Sequence, residues 1–231
     1  MMNKISSVST LKPALSTVPY FAGLDERVLE SIAAITVQRH YAIGEIVFLE
    51  GEPCQGLYVV QEGWLKSVIT SAGGREQIIR LVGPGQAFNE IGVLLRENRN
   101  LVTVQATEPS AVWVIHRQAL LKLMDETPIL CRIITQRLAD RVVNLMKLVE
   151  DLSLRTVEGR LARLLIDQSI GEGMRRHWAT QAEMASRLGT VPDVINRALH
   201  KLEAEGLIRI VRHQIEIVDH MRLEQRAETR D

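Results

Sequence analysis

A chain of 231 residues has room for two domains of ordinary size, and 46% hydrophobic with 24% charged residues is a globular balance. No apolar run approaches the ~18 residues of a membrane span, and residues 1–17 lack the continuous apolar stretch of a secretory signal. A cytoplasmic protein with no membrane partner is therefore expected. Lysine plus arginine (28) equals aspartate plus glutamate (28), so bulk charge offers no nucleic-acid signature and any basic surface must be local. Two cysteines, Cys54 and Cys131, fall short of the roughly four thiolates that hold an iron–sulfur cluster and of a disulfide framework. A redox pair is one further reading of them, and the sequence offers no Cys/His set at metal-ligand spacing.

Taken in order, residues 1–18 read as a flexible tail. Asp25 to Ile35 has helical spacing, with Leu29, Ile32 and Ala33 on one face. From Gly44 to Ile115 short apolar runs alternate with glycine-bearing turns: Ile46–Leu49, Leu57–Val60, Trp64–Ile69, Gln77–Val82, Leu101–Ala106 and Ala111–Ile115. Short strands at such spacing predict a sandwich, barrel or jelly roll. At Thr127 the period becomes helical, with Pro128 suited to a first turn. Ile134, Leu138, Val142, Leu145, Val149 and Leu152 then recur at steps of three and four. Twenty-five residues from Pro128 to Leu152 would span roughly 37 Å. Such a helix either covers a core or pairs with its twin. Its length, and the segment that follows it, favour pairing through Leu138, Val142, Leu145, Val149 and Leu152.

The clearest chemistry lies near the C-terminal end. Thr180 to Glu183 is a capping box opening a helix whose apolar face is Met184, Ala185 and Leu188. Gly189 ends it, and a second cap at Thr190 is expected to start another helix, with Pro192 and Asp193 in its first turn. Val194, Ile195, Ala198, Leu199 and Leu202 would be buried, and Leu207–Val211 with Ile215–Val218 would form a hairpin. Two helices on a tight glycine turn, followed by a hairpin, make a winged helix-turn-helix. The polar face of its second helix offers Asp193, Asn196, Arg197, His200 and Lys201 for double-stranded DNA. Arginine can bond guanine O6 and N7 together, and an acidic group can accept from cytosine N4. Thr180 and Gln181, at a helix start, suit a phosphate, and Arg209, Arg212 and His213 on the wing could add backbone contacts.

Jelly-roll strands, a long helix and a winged helix-turn-helix, in this order, resemble the CRP/FNR family of bacterial transcription regulators. The resemblance rests on residues 19–24, 83–92, 103–106, 159–160 and 188–197, and covers nearly the whole chain. It implies an α+β chain with four parts: a flexible tail (1–18), a double-stranded β-helix sensor domain (19–126), a dimerisation helix (127–152) and a winged helix-turn-helix domain (153–231). It also implies a homodimer on a palindromic site, contact with RNA polymerase, and a small effector in the roll. The family's recognition pattern Glu-x-x-(Ser/Gly)-Arg reads here as Asp193, Asn196 and Arg197, with Pro192 where cyclic-AMP-responsive members place an arginine. The effector pocket would draw on Gly85, Phe88, Glu90, Ile91, Gly92, Asn100, Leu101, Leu145 and Met146.

That pocket departs from the cyclic-AMP pattern. Glu90 is kept, but the Arg-Ser pair that holds the cyclic phosphate reads Asn100-Leu101, and the positions offering hydroxyls to adenine read Leu145-Met146. A cyclic phosphate without its arginine is an anion poorly paired in a partly buried site, so cyclic AMP is not expected. Haem would need an axial ligand, for which His40 and His116 are the candidates in or near the roll. A ligand-binding module whose helix-turn-helix docks on protein is the alternative reading. Phosphate-loop and zinc-hydrolase motifs are missing, and an enzyme is not expected.

Overall fold

The computed structural model describes residues 8–18, 20–170, 180–211 and 214–228, with side chains from residue 11 on and excepting 168–170. Backbone contacts divide the chain into two compact units, Met1–Ile69 with Ile78–Val142 and Thr70–Gln77 with Val143–Asp231.

The first unit begins with two helices, α1 (Val8–Ser16) and α2 (Glu26–Ala34). Residues 8–16 are thus helical where a flexible tail was expected. Leu11 and Leu15 explain the difference: four apart, they share one helix face and are both buried in the core against α2. Asp25 caps α2 by accepting the Val28 N–H at 2.9 Å, and Leu29, Ile32 and Ala33 are its buried residues, as the spacing predicts.

The roll follows as β1 (Thr36–Tyr41), β2 (Ile46–Phe48), β3 (Gly56–Glu62), β4 (Leu65–Thr70), β5 (Glu76–Val82), β6 (Ala87–Phe88), the short helix α3 (Glu90–Leu94), β7 (Thr103–Ala106) and β8 (Ser110–His116). Two four-stranded sheets result, in the orders β1-β8-β3-β6 and β2-β7-β4-β5. Strand β1, like the short β6 and α3, is not among the predicted runs; Gln38, Arg39 and His40 break its apolar alternation. It pairs antiparallel with β8 from Thr36↔Ile115 to Tyr41↔Ser110.

The uninterrupted apolar runs of β3 and β8 have a structural cause. Both strands are buried on both faces. Tyr58, Val60, Val112 and Val114 point into the roll interior with Phe48, Leu65, Val82 and Phe88. Their alternates Leu57, Val59, Trp113 and Ile115 pack with the helices. Gly56 permits the close pairing, since a Cβ there would lie 2.0 Å from the Ile115 carbonyl oxygen.

Helix α4 (Arg117–Glu126) leads into α5 (Pro128–Leu154), two residues longer than predicted. Leu130 and Ile134 are buried and Leu138 is half-buried in the first unit's core. Beyond them the same spacing turns to solvent: Val142, Val143, Leu145, Met146 and Val149 are all exposed, Met146 to 67%.

The second unit contains α6 (Val157–Ile170), α7 (Gln181–Leu188), α8 (Pro192–Ala204), β9 (Ile208–Val211), β10 (Gln214–Ile217) and α9 (His220–Ala227). Its core joins Leu161, Leu165, Met184, Leu188, Ile195, Leu199, Leu202, Ile208, Ile215 and Leu223. Arg160, at the start of α6, donates through Nη1 to the carbonyls of Asp151, Leu152 and Arg155 at 3.3, 3.1 and 3.2 Å. These carbonyls lie at the C-terminal end of α5, where helix geometry leaves acceptors unfilled and the dipole favours a cation. Among the described residues no helix is long and apolar enough to cross a membrane.

Candidate nucleic-acid interface and effector pocket

Helices α7 and α8 form the expected helix-turn-helix. The Thr180 hydroxyl accepts the Glu183 N–H at 3.2 Å, and Gly189 takes the left-handed conformation (φ 66°) that closes α7. The second cap differs from expectation. Val191, not Thr190, precedes α8, with no side-chain hydrogen bond, while Thr190 lies in the turn and its N–H binds the Ala185 carbonyl at 3.0 Å. Proline explains the shift. Pro192 at the first helical position holds the preceding residue extended, and Val191 has φ −117° and ψ 155°.

Ile195, Ala198, Leu199 and Leu202 face the core, so the opposite face of α8 is the solvent face. Asp193, Asn196, Arg197 and His200 all lie there, exposed. Gln181 Nε2 donates to Asn196 Oδ1 at 3.3 Å, linking the start of α7 to this face. Arg197 takes part in no ion pair among the described residues. Lys201 is committed elsewhere: its ammonium lies 2.7 and 2.8 Å from the two Glu158 oxygens of α6. Arg226 of α9 joins the same carboxylate at 3.3 Å and also pairs with Glu205. Lys201 therefore braces α8 against α6 and α9. The hairpin is fixed similarly, since Glu203 accepts the Ile210 N–H at 2.9 Å. Arg209 is exposed on it, whereas Arg212 and His213 lie outside the described residues.

Residues expected in the roll pocket differ in burial and in the unit they belong to. Phe88 and Glu90 are buried together, and Phe88 stacks on Tyr58 with ring centroids 5.1 Å apart. Gly85, with φ 75°, forms the turn before β6, and its N–H binds the Val60 carbonyl at 2.8 Å. Ile91 and Leu101 are exposed and Gly92 is buried. Leu145 and Met146 belong to the second unit and are exposed.

Asn100 is only 2% exposed, and both ends of its amide are hydrogen-bonded. It accepts from Asn89 Nδ2 at 2.9 Å and donates to the Leu49 carbonyl at 3.3 Å. Asn89, itself left-handed at φ 72°, also donates toward Cys54 Sγ and the Gly56 carbonyl at 3.3 Å.

Two arginines that the sequence reading missed meet beside the buried Glu90. Arg141 of α5 donates through Nη2 to Glu90 Oε1 and Oε2 at 3.0 and 3.2 Å and to the Ala87 carbonyl at 3.0 Å. Arg80 of β5 donates to the same Ala87 carbonyl and to Gln86 Oε1, each at 3.0 Å. Burial first, and the neighbouring Arg141 charge second, push the Arg80 guanidinium down to about 10. The signal for Arg141 was Glu90 itself, because a buried carboxylate requires a cation.

Both candidate haem ligands, His40 and His116, are exposed. Cys54 and Cys131 are free thiols, and burial raises the Cys54 thiol above its ordinary range. Among the described residues no group of three or more metal-ligating side chains gathers.

A roll followed by a winged helix-turn-helix with an open polar face defines the class of fold. A cyclic nucleotide-binding domain model matches residues 38–127 and a Crp-like helix-turn-helix domain model matches residues 159–226. The chain is 30% identical over 207 residues to the CRP-like cAMP-activated global transcriptional regulator of Mycobacterium tuberculosis, covering 85% of this chain and 92% of that protein. It is 28% identical to the cyclic AMP receptor protein of Thermus thermophilus, over 90% and 96% of the two chains. A solved structure of a crp/fnr-family protein from Eubacterium rectale superposes with a TM-score of 0.78 at 25% identity, over 91% and 98% of the chains. The chain belongs to the CRP/FNR family of DNA-binding transcription regulators.

Proposed function

We propose that the chain acts as a homodimer on a palindromic promoter site, under the control of a small effector other than cyclic AMP. The observation that carries the DNA reading is the face of α8 on which Asp193, Asn196 and Arg197 are exposed on its first turns, with Arg197 outside every ion pair of the described residues. That end of a recognition helix meets base edges in the major groove. Arg197 would read guanine, Asp193 a cytosine N4, and Thr180 and Gln181 a phosphate. Dimerisation is supported by the exposed apolar stripe Val142, Leu145, Met146 and Val149, since apolar groups at this spacing gain by pairing with a second copy. RNA polymerase is the partner that the family assignment adds.

The effector reading rests on the roll. At the position of the phosphate-holding arginine stands Asn100, buried and committed to Asn89 and Leu49, so no cation sits there. Control would pass through the junction at residues 151–155, where Arg160 holds three carbonyls.

Selection of binding sites by the full-length protein from a random duplex library tests the proposal. Enrichment of a palindrome with half-sites about one helical turn apart is expected. Enrichment of no site would overturn the DNA reading and favour a protein-docking role for the helix-turn-helix.

A further inference from the structure

Helix α9 follows the hairpin and packs Leu223 and Ala227 into the second unit's core. Its last turn is tied at two consecutive residues. The Ala227 carbonyl, an acceptor of the kind a helix leaves unfilled at its C-terminal end, accepts Arg155 Nη1. Arg155 also ion-pairs with Asp151 of α5 at 2.8 Å. One residue earlier, Arg226 pairs with Glu205, which closes α8, and at 3.3 Å with Glu158 in the first turn of α6. Glu158 holds Lys201 of α8 as well. A continuous set of charged contacts thus runs from the last turn of α5, through α9, to the last turn of α8.

Folding stability gains little from these pairs. Arg226, Glu158 and Glu205 keep 26%, 26% and 28% side-chain exposure, where solvent screens the attraction. The apolar core already joins α6, α8 and α9. What a guanidinium shared between two carboxylates adds is direction, because its donors lie in a fixed plane. Direction matters for α8. Its 13 residues make a rod roughly 20 Å long, with Glu205 at one end and Asp193, Asn196 and Arg197 at the other. A tilt of about 10° at Glu205 would carry those first turns by roughly 3.5 Å, the rise of one base pair.

We propose that Arg226 and Arg155 are positioning residues for DNA reading: they fix α8 against residues 143–154 of α5 and so set the half-site spacing that the dimer accepts. This rests on the reading in which α5 pairs with its twin and each α8 reads half of a palindrome. In such a dimer the separation of the two recognition helices follows from the pose of α8 on the pairing helix of its own chain. The two arginines act on that pose and leave base readout to the first turns of α8.

The test is gel-shift titration of the full-length protein against the palindrome that the wild type enriches, and against copies with one base pair added to or removed from its centre. The wild type should lose about tenfold or more in affinity on either change, since both half-sites can no longer be met together. In Arg226→Ala and in Arg155→Ala that ratio should shrink by about threefold or more, the scale of a partly exposed ion pair. Arg226→Lys keeps one of the two pairings and should fall between, and it carries the test if the alanine variants do not fold. Guanine preference within each half-site, read with single-base variants of the palindrome, should match the wild type in all of them. Arg163→Ala removes a pair confined to α6, Arg163 with Asp167 at 3.3 Å, and should leave the ratio unchanged. An unchanged ratio in the folded Arg226 and Arg155 variants overturns the proposal. So does an equal loss of guanine preference and spacing preference, which would make these contacts supports of the fold alone. Enrichment of no palindrome by the wild type overturns the reading beneath the proposal, a result into which the variants do not enter.

Discussion

The Glu90 carboxylate accepts Arg141 Nη2 at both oxygens, at 3.0 and 3.2 Å, and so ties α3 to the long helix α5 inside the roll unit. Breaking a fully buried pair costs about 3–5 kcal/mol, because the remaining charge loses its partner. Arg141 keeps 22% side-chain exposure, so solvent takes up part of that loss. Glu90→Gln is expected to destabilise the protein by roughly 2–3 kcal/mol in urea unfolding. Replacing both residues by Leu and Met should restore most of it. A change below about 0.5 kcal/mol for Glu90→Gln would remove the pair from the roll's supports.

The thiols should respond differently to alkylation. Burial raises the Cys54 thiol, so at pH 8 it holds less thiolate than an ordinary cysteine and is shielded from reagent, whereas Cys131 is only half-buried. Peptide mapping after iodoacetamide treatment should show Cys131 modified first. The linkage has a matching sign: an acid raised in the folded state binds its proton more tightly there, so stability is present below the unfolded thiol range. It is lost as pH rises past about 9. Cys54 alkylated as fast as Cys131 would contradict both statements.

Lys201 distinguishes surface charge from DNA contact. Held by Glu158, it should contribute less than ~1 kcal/mol to stability and nothing to counter-ion release. Lys201→Met is expected to leave the slope of log affinity against log salt unchanged. A phosphate contact would instead lower that slope by about 1.

At the end of α5, Arg160→Ala would release three carbonyls. Charge-assisted hydrogen bonds of this kind contribute about 1.5–3 kcal/mol. Faster amide hydrogen exchange confined to residues 151–157 is the expected result, and unchanged exchange there would show that Arg160 does not hold the junction.

Much of this arrangement was legible from residues alone, for definite physical reasons. Thr180 to Glu183, Gly189 and Pro192 act through local backbone geometry, which sequence carries directly, so α7 and α8 emerged with their buried faces. Where two local signals competed, the stronger won: Pro192 moved the cap of α8 from Thr190 to Val191. Helix α1 stayed hidden because Leu11 and Leu15 acquire meaning only against α2. Strand β1 was hidden by its polar centre, which is tolerable because β8 satisfies its backbone. Arg80 and Arg141 stand 61 residues apart in the chain and meet on one carbonyl oxygen, a relationship that no spacing rule records. Lys201 looked like a free charge because Glu158 lies 43 residues away.

The central claim is that the exposed face of α8 reads bases through Arg197. It is tested most directly by gel-shift titration of wild type and Arg197→Ala against the palindrome enriched by the wild type and against variants of its guanines. A bidentate arginine contact supplies about 1–3 kcal/mol of discrimination. Arg197→Ala should therefore lose roughly tenfold or more in affinity for the enriched site and stop distinguishing one guanine from its replacements. Equal affinity with unchanged sequence preference in Arg197→Ala would contradict the account.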